Sequence, residues 1–494
     1  MTSCKIRFCL SAASIAAALG APPASAQWSD DASSPLVVSD LTGGNTQPKI
    51  VAAPDGGFYV SWFSDTDGFD VHLQRLDVFG AEVWTHDGIV VADRSYDFTY
   101  DYGLAVDADG NAYVAYNCCE NGSADEHIAV AKITPDGTPA WGDAGVTVSL
   151  PGESVYNAYV TATDDGDVVV AWSADAGVRA QKLDADGAPL WVAGGIELIR
   201  PTAALKLLGD VEPAGGGDVI VSWSNQSGST RILYAQKLAS ADGSVRWGDD
   251  AVRVFGQGNL QAGYYPPFVI DGAGGAVFWD YDYVGGHYVP RVQHVGTDGT
   301  LLLGANGVVA TTDTTADHVN TSATYDASSG DIYAVWIDTY TSADFQQYDG
   351  VSAQRIDASG QLAWGDAGKV LVAPANATDG TDAISQPLAL PAPGGFLASW
   401  VAGALPAADQ PLIVAGLGAD GSYLWPAQTV PLKTSGATSR TVGTIGAAGY
   451  PAYAWQDGDD AAGLSTIAAQ NLNFDGTLGN EVHDTIFADG FDGS

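Results

Sequence analysis

The sequence has few positive charges. Only 19 Lys and Arg residues stand against 59 Asp and Glu among 494 residues, which gives a formal net charge of −40 at pH 7. Such a surface repels a phosphate backbone, because nucleic-acid binding needs a basic stripe, so the composition opposes nucleic-acid binding. The hydrophobic fraction of 46% supplies enough apolar surface for a core and excludes global disorder.

Residues that favour helices are also scarce. The acids are 52 Asp and only 7 Glu, and the chain has 8 Lys and one Met. Asp favours turns because its side chain bonds the nearby backbone, and the 61 Gly residues favour turns because glycine adopts positive φ angles. This balance predicts an all-β protein with many tight turns.

Beyond its N-terminus the sequence has no apolar run long enough to span a membrane. Residues 1–26 are typical of a secretory signal peptide, with Lys5 and Arg7 ahead of an apolar stretch and a final Ala-Ser-Ala cleavage site. We expect cleavage between Ala26 and Gln27. The mature chain is then exported, to the periplasm or outside the cell, without a membrane span.

Cysteine is nearly absent from the mature chain. Cys118 and Cys119 are the two cysteines that remain after the signal peptide is removed. In an oxidising compartment these neighbours can form a disulfide with each other, although adjacent Cα atoms only about 3.8 Å apart make that bond strained, or they can bond to another chain. The sequence leaves both pairings open.

An internal repeat dominates the rest of the sequence. Eight aromatic residues each close a short apolar strand at intervals of 51 to 64 residues: Trp62, Tyr116, Trp172, Trp223, Trp279, Trp336, Trp400 and Trp455. A turn glycine recurs at similar intervals: Gly80, Gly137, Gly187, Gly243, Gly299, Gly360, Gly421 and Gly476. Six of these glycines are followed four residues later by a Trp. An aromatic side chain in one register of nearly every unit is expected to pack between units.

Each repeat unit is predicted to hold four short strands joined by Gly and Asp turns. In the sixth unit the strands are predicted over 322–325, 332–337, 350–356 and 362–372. Four strands in about 56 residues are the size of a propeller blade, and radial repetition protects the sheet edges.

The two ends of the repeat complement each other. Trp28 and the following Leu36, Val37 and Val38 match the fourth-strand pattern of the first unit, whereas the last unit lacks a fourth strand after Gly476. We therefore expect the N-terminal segment to supply the outer strand of the last blade, which pairs two otherwise exposed edges. The prediction is one eight-bladed β-propeller over residues 27–480 and an acidic C-terminal tail over 481–494.

A glutamine recurs six or seven residues before the turn glycine in six units, at Gln74, Gln181, Gln236, Gln293, Gln354 and Gln470. We expect these side chains to act as hydrogen-bonding struts within the blade.

The unit resembles a blade repeat of uncharacterised exported bacterial proteins, with the approximate pattern G-G-x-I-V-x-W and then Y-A-Q-R-L-D-x-x-G-x-x-x-W-G-x-x-G-V. Residues 353–365, A-Q-R-I-D-A-S-G-Q-L-A-W-G, match it best. The resemblance covers nearly the whole mature chain and implies the propeller fold, but it implies no activity. Residues 486–491, I-F-A-D-G-F, resemble the ending of some exported proteins of Gram-negative bacteria, either a sorting tag or a frayed terminus.

A weaker likeness is to quinoprotein dehydrogenases, which also have eight blades. Their docking motif also places a Trp four residues after a Gly, and they carry two adjacent cysteines near the cofactor, as Cys118 and Cys119 are adjacent here. The chain lacks their A-x-D-x-x-T-G-K series, however, and no cofactor-binding Arg can be assigned. No cofactor is established by the sequence.

The connections between second and third strands, and those between blades, are predicted to be long and variable, whereas the other turns are predicted to be short. Because both long sets leave one face of a propeller, that face is the candidate binding surface. Its aromatic and acidic residues, interspersed with Asp101, are Tyr96, Tyr100, Tyr102, Tyr264, Tyr265, Asp280, Tyr281, Tyr283, His287, Asp338 and Tyr340. Tyrosine suits sugars and peptides, but these rings can instead pack the loops themselves.

A calcium site is a second possibility on this face. Asp65, Asp67 and Asp70 supply hard oxygen ligands close together in the sequence. The loop is not an EF-hand, however, and Asp-Gly turns are ordinary in this chain.

The sequence shows no recognisable catalytic motif. It has no H-E-x-x-H, nucleophile elbow, P-loop or dinucleotide glycine run, whereas 52 Asp offer too many pairs to exclude carboxylate catalysis. The leading hypothesis is therefore an exported, monomeric binding module for a glycan, peptide or surface protein. The alternative is a secreted enzyme, either a polysaccharide hydrolase or lyase or a quinoprotein dehydrogenase.

Overall fold

All regular secondary structure in the described part of the chain is β-strand. The computed structural model describes residues 27–480 except 67, 95–98, 119–125, 176, 204, 261–266, 405–408 and 459–463. Its strands form eight separate four-stranded antiparallel sheets. The sheets are arranged in a ring, so the prediction of an eight-bladed β-propeller is confirmed. No helix in the described residues is long and apolar enough to cross a membrane.

The strands are numbered in chain order, and the inner to outer strands of each blade are called A to D. Blade 1 holds β2 (Asn45–Ala52), β3 (Phe58–Asp65), β4 (Phe69–Leu76) and β5 (Ile89–Ala92), and blade 2 holds β6 (Gly103–Val106), β7 (Ala112–Cys118), β8 (His127–Ile133) and β9 (Val146–Thr147). Blade 3 holds β10 (Val155–Ala162), β11 (Val168–Ala174), β12 (Gly177–Leu183) and β13 (Ile196–Glu197), and blade 4 holds β14 (Leu205–Pro213), β15 (Val219–Ser227), β16 (Thr230–Leu238) and β17 (Val252–Arg253).

The second half of the ring repeats this order. Blade 5 holds β18 (Phe268–Ile270), β19 (Ala276–Val284), β20 (His287–Val295) and β21 (Val308–Val309), and blade 6 holds β22 (Asp317–Asp326), β23 (Asp331–Thr341), β24 (Gln347–Ile356) and β25 (Lys369–Asn376). Blade 7 holds β26 (Ile384–Ala392), β27 (Gly395–Ala402), β28 (Leu412–Gly418) and β29 (Thr429–Lys433), and blade 8 holds β30 (Thr438–Ile445), β31 (Pro451–Asp457), β32 (Thr466–Asn471) and, as its outer strand, β1 (Leu36–Ser39).

The ring closes through its N-terminal strand, as predicted. β1 pairs antiparallel with β32, and Leu36 lies opposite Ala469. Leu36 and Val38 are buried in one cluster with Ala469 and with Trp62 of blade 1. The first and last described segments thus protect each other's edge.

Aspartate forms the turns that its abundance predicted. In the A–B turn of blade 2, the Asp107 carboxylate accepts hydrogen bonds from the Asp109 and Asn111 N–H groups, and Gly110 adopts a φ of 84°. A carboxylate that bonds the backbone two and four residues ahead fixes a tight turn without help from the core.

The strand aromatics pack between blades, as expected. Trp172 of blade 3 is fully buried in a cluster that includes Val130 of blade 2. The corresponding residues of the other blades, including Tyr116, are also buried. Because each blade covers the apolar face of its neighbour, the core is a series of interfaces between sheets.

The second tryptophan series docks each blade onto the turn glycine of the next. Trp191 of blade 3 donates from Nε1 to the Ser240 carbonyl at 2.9 Å, and a Cβ on Gly243 would lie 3.0 Å from its ring. The same pairing joins Trp84 to Gly137, Trp141 to Gly187, Trp247 to Gly299, Trp364 to Gly421, Trp425 to Gly476 and Trp28 to Gly80, and Leu303 faces Gly360. Glycine is required there because a side chain would displace the indole.

The glutamine struts are confirmed. Gln354 donates from Nε2 to the Gly365 carbonyl at 2.7 Å and accepts from the Trp364 N–H at 2.9 Å. The strut therefore holds the docking tryptophan of its own C–D connection in place.

The prediction of short connections between third and fourth strands is wrong. In blade 6, Leu362 forms only an isolated bridge with Ile356, and the D strand begins at Lys369 rather than at 362. The intervening residues form the tryptophan dock. Conversely, the B–C connections of blades 4 and 5 contain only residues 228–229 and 285–286.

Candidate functional site

The two ends of the propeller differ in the regularity of their connections. The C–D connections repeat one tryptophan dock. The B–C connections vary in length, from residues 228–229 to residues 403–411, and the D–A connections vary in length from residues 434–437 to residues 254–267. Antiparallel order places the B–C and D–A connections at the same end, here called the variable face. Because repeated docks are structural, blade-specific residues concentrate on the variable face.

The A strands line the central channel and enter it from the variable face. Five of them begin with a β-bulge whose residue has a positive φ, at Gln47, Asn157, Asn320, Gln386 and Arg440. Bulges re-aim the side chains that follow them, so residues just beyond the bulge are the ones that line the channel mouth.

Three A-strand residues occupy one level of the channel. Lys49, Tyr159 and Asp210 lie opposite Ser61, Ala171 and Ser222, the residues that precede the aromatic of each B strand. All three line a cavity of about 600 Å³, together with Asp101 and Glu212. Its walls come from blades 1 to 5 and, through Thr444, from blade 8. A smaller cavity of about 310 Å³ shares Lys49 and Asp101 and is also lined by Gln47 and Arg440.

Asp101 is the centre of a polar network in this cavity. Lys49 Nζ lies 2.7 Å from Asp101 Oδ1, and the Tyr159 hydroxyl donates to Asp101 Oδ2. Lys49 Nζ also lies 5.2 Å from the centroid of the Tyr159 ring, in cation–π geometry. Burial alone would raise the pKa of Asp101, but the charge and hydrogen bond of Lys49 and the hydrogen bond from Tyr159 lower it below its usual value.

Blade 4 carries two carboxyl groups with the reverse behaviour. Asp210 and Glu212 stand two apart on β14 and therefore face the same side of the strand. Burial raises the pKa of Asp210 to about 7, despite a hydrogen bond from the Val211 N–H and the charge of Lys49. Burial and the adjacent Asp210 raise the pKa of Glu212 well above its usual value. The cavity thus holds Asp101, whose pKa is lowered, beside Asp210 and Glu212, whose pKa values are raised.

Three residues predicted for the binding surface lie beneath it. Tyr102 is fully buried and its hydroxyl bonds Ser61 and donates to the Gln47 carbonyl. Asp338 is 6% exposed and accepts hydrogen bonds from the side chains of Trp336, His318 and Ser352. Asp280 is 2% exposed. These three positions are corrections to the predicted surface, because packing has enclosed them.

Three other predicted residues, Tyr281, Tyr283 and Tyr340, form an aromatic rim on blades 5 and 6 together with Tyr288 and Tyr348, and the predicted His287 lies beside it. Tyr283 is 59% exposed, and its ring packs against Tyr288, which also contacts Tyr281. His287 lies 3.7 Å from Asp317 of the next blade. Tyr340, 37% exposed, stacks on Tyr348 with ring planes 1° apart and centroids 4.9 Å apart. Tyr100 lies apart from this rim, half-buried against Tyr156 of blade 3.

Several predicted residues lie outside the described residues. They are Tyr96, Tyr264, Tyr265, Asp67, Cys119, Ala26, the signal peptide and the C-terminal tail. The disulfide involving Cys118 stays a prediction for that reason.

The calcium site also stays a prediction. Asp65 is exposed, and Asp70 accepts a hydrogen bond from the Arg94 N–H at 2.9 Å. Among the described residues, Asp40, His86 and Asp87 also bring possible metal-ligand atoms close together, at the ring closure.

Sequence reasoning missed most of the channel cluster. Lys49, Tyr159, Asp210 and Glu212 belong to no short motif, since they lie in three different blades. A signal was present, however, because aligning the units on their B-strand aromatics places Lys49, Tyr159 and Asp210 in one register.

Of the comparisons with known proteins, the one with solved structures finds similar chains. No protein-family model matches the chain, and no curated protein matches it. Among solved structures it is similar to a PL25 ulvan lyase, a polysaccharide lyase, with a TM-score of 0.41 and 12% identity over 78% of this chain and 97% of the other. It is also similar to the polysaccharide lyase Uly1, with a TM-score of 0.40 and 10% identity over 89% and 91% of the two chains.

A third similar structure is an α-L-arabinofuranosidase from Fusarium graminearum, with a TM-score of 0.38 and 10% identity over 76% of this chain and 92% of the other. The structural neighbours of this propeller thus include polysaccharide lyases and glycosidases. At these values residue roles do not transfer.

Proposed function

We propose that this protein is an exported propeller that binds an uncharged glycan on its variable face. The observation that supports this most directly is the aromatic rim, Tyr281, Tyr283, Tyr288, Tyr340 and Tyr348, on two adjacent blades. A tyrosine combines a flat apolar ring with a polar hydroxyl, which suits the C–H faces and hydroxyl groups of a sugar.

The charge of the protein favours an uncharged ligand. With a formal net charge of −40, the surface repels anionic polymers at low ionic strength. The stacked pair of Tyr340 and Tyr348 presents a planar surface that is already ordered, so little conformational entropy is lost on binding. A peptide or a surface protein remains the alternative ligand class that the binding experiment must separate from a glycan.

The test compares rim variants with a matched aromatic variant elsewhere. Cellohexaose, xylohexaose, mannohexaose, maltohexaose and arabinohexaose are titrated into the mature chain by calorimetry, with and without Ca²⁺. We expect at least one hexasaccharide to bind and the Tyr283→Ala/Tyr340→Ala double variant to weaken it at least tenfold. Phe79, 54% exposed in the C–D connection of blade 1, provides the control, and Phe79→Ala should bind like the wild type.

Absence of binding to all five hexasaccharides would contradict the proposal. Binding of a peptide library but of no glycan would contradict it as well and would favour the alternative ligand class.

Export also belongs to this proposal. Trp28, one residue after the expected new N-terminus at Gln27, is 4% exposed and docks onto Gly80. Cleavage after Ala26 therefore leaves the whole closing segment intact. Mass spectrometry of the secreted protein should find Gln27 as its first residue, and an intact Met1 would contradict export by this signal.

A further inference from the structure

We propose that the channel cavity of about 600 Å³ is a catalytic site that hydrolyses glycosidic bonds, with Asp101 as general base and Asp210 as general acid. This inference rests on the proposed function, because the substrate is the uncharged glycan bound on the variable face. It adds an activity and a second site to that function.

The positions of the two carboxyl groups support this assignment. Asp101 precedes β6 of blade 2, at the channel mouth, and Asp210 lies on β14 of blade 4, so they reach the cavity from different blades. Glycoside hydrolysis by inversion needs two carboxyl groups several ångströms apart, with room for a water molecule between one of them and the sugar. A cavity of about 600 Å³ has room for a sugar residue and that water.

The contacts of the two groups give them different protonation states. Asp101 is held as a carboxylate by Lys49, 2.7 Å away, and by the Tyr159 hydroxyl. Asp210 accepts backbone hydrogen bonds from Val211 and Phe268, and has Glu212 as a second carboxyl on the same face of its strand. Two carboxyl groups in one cavity, one paired with a cation and the other beside a second carboxyl, are the arrangement expected of a base and an acid.

The reaction is a single displacement. A water molecule attacks the anomeric carbon and gives its proton to the Asp101 carboxylate. The glycosidic C–O bond breaks with its electron pair on the leaving oxygen, which takes the proton of Asp210. The products are two shorter glycans, and solvent exchange returns the proton from Asp101 to Asp210, so water is the one co-reactant.

The charges of the cavity favour hydrolysis over β-elimination. Elimination acts on a uronic acid, whose carboxylate must be neutralised by a cation. Lys49 is the cation that lines the main cavity among the described residues, and it is already paired with Asp101. A uronate there would also face Asp210 and Glu212, so the cavity favours a sugar without a carboxylate.

The pH dependence is a consequence of these neighbours. Asp210 faces Lys49 of blade 1, Asp101 of blade 2, Tyr159 of blade 3 and Glu212 of its own strand. With the pKa of Asp210 raised to about 7, the acid loses its proton as the pH rises above neutrality, and activity should fall there. Activity should also fall at low pH, where Asp101 becomes protonated.

The test measures release of reducing ends from the five hexasaccharides named above. We expect the wild type to cleave a hexasaccharide that it binds, and Asp101→Asn and Asp210→Asn each to lower kcat at least 100-fold while the affinity changes less than threefold. Asp186, exposed in the C–D turn of blade 3, gives the matched control, and Asp186→Asn should keep wild-type activity. Tyr159→Phe removes one hydrogen bond from Asp101 and should move the acidic limb of the pH profile to higher pH.

Each outcome is decisive. If the wild type binds a hexasaccharide but releases no reducing ends, or if either Asn variant keeps its activity, the catalytic proposal is wrong while the binding function stands. If no hexasaccharide binds, the proposed function itself fails. If an Asn variant does not fold, as judged by its thermal unfolding, the Tyr159→Phe pH profile decides instead, and an unchanged acidic limb overturns the role of Asp101.

Discussion

Trp28 and Tyr450 close the ring through a hydrogen bond of 3.0 Å between the indole Nε1 and the tyrosine hydroxyl. In the other tryptophan docks the indole donates to a backbone carbonyl of the next blade, as Trp191 does to Ser240. At the closure the Tyr450 hydroxyl accepts from the Trp28 indole and donates to the Val78 carbonyl of blade 1. One hydroxyl therefore links the N-terminal segment, blade 8 and blade 1.

Removing this hydroxyl should weaken the closure. Tyr450→Phe leaves the Trp28 indole N–H and the Val78 carbonyl without their partner. We expect a loss of about 1–3 kcal/mol of unfolding free energy, measured by urea unfolding. Tyr283→Phe removes a hydroxyl from a ring that is 59% exposed and should change stability by less than about 0.5 kcal/mol. Equal stabilities of the two variants would show that the closure does not depend on this bond.

The docking glycines should tolerate no side chain. Gly243 has a φ of 70°, and a Cβ there would lie 2.4 Å from Ile196 and 3.0 Å from the Trp191 ring. Gly215 has a φ of 83° with no atom within 4 Å of such a Cβ, so Gly215→Ala measures the cost of the backbone conformation alone. We expect Gly215→Ala to cost about 1 kcal/mol and Gly243→Ala about 1–3 kcal/mol more, measured by urea unfolding. Equal costs would contradict the docking role.

The buried Asp280 should make stability depend on pH. Burial raises the pKa of Asp280 to about 8, because the charge of Arg291, which lowers the pKa, does not offset it and the charge of Asp282 raises the pKa further. The Oδ1 atom of Asp280 has no hydrogen-bond partner among the described residues. A carboxyl whose pKa is raised on folding loses stability as the pH rises from about 4 to about 8. Asp280→Asn should therefore be more stable than the wild type at pH 8, on the order of a few kcal/mol, and similar to it near pH 4.

Urea unfolding at both pH values measures this difference, with the exposed Asp186→Asn as control. A constant difference between Asp280→Asn and the wild type from pH 4 to pH 8 would refute the assignment.

His318 should show the opposite dependence. Burial acts to lower its pKa, but the hydrogen bond of 2.6 Å to Asp338 and the charge of that carboxylate raise it overall. A histidine whose pKa is raised on folding contributes stability that is complete below its unfolded pKa and is lost as the pH rises through the folded one. The stability deficit of His318→Gln should thus be larger at pH 5.5 than at pH 8.5. A deficit that grows with pH would be contrary to this sign.

The fold could be predicted because single residues recur at the same position of successive repeat units. One Trp, one Gly and one Gln recur in most units, and each makes a contact that is repeated from blade to blade, as Gln354 does with Trp364 and Gly365. The lengths of the connections could not be predicted, because a tryptophan dock and a strand share the same apolar pattern in residues such as Leu362.

The site was harder to predict because exposure and proximity depend on packing. Tyr100 and Tyr102 look alike in sequence, yet only Tyr102 is fully buried, bonded to Ser61 of the neighbouring blade. Lys49, Tyr159 and Asp210 meet because the ring brings their A strands together, whereas they lie in three different repeat units along the chain. Once the repeats are aligned, their shared register is visible.

The most direct test of the account is calorimetric titration of the five neutral hexasaccharides into the wild type, the Tyr283→Ala/Tyr340→Ala double variant and Phe79→Ala. We predict that the wild type and Phe79→Ala bind the same hexasaccharide equally well and that the double variant binds it at least tenfold more weakly. Equal binding by all three proteins, or binding by none, would contradict the account.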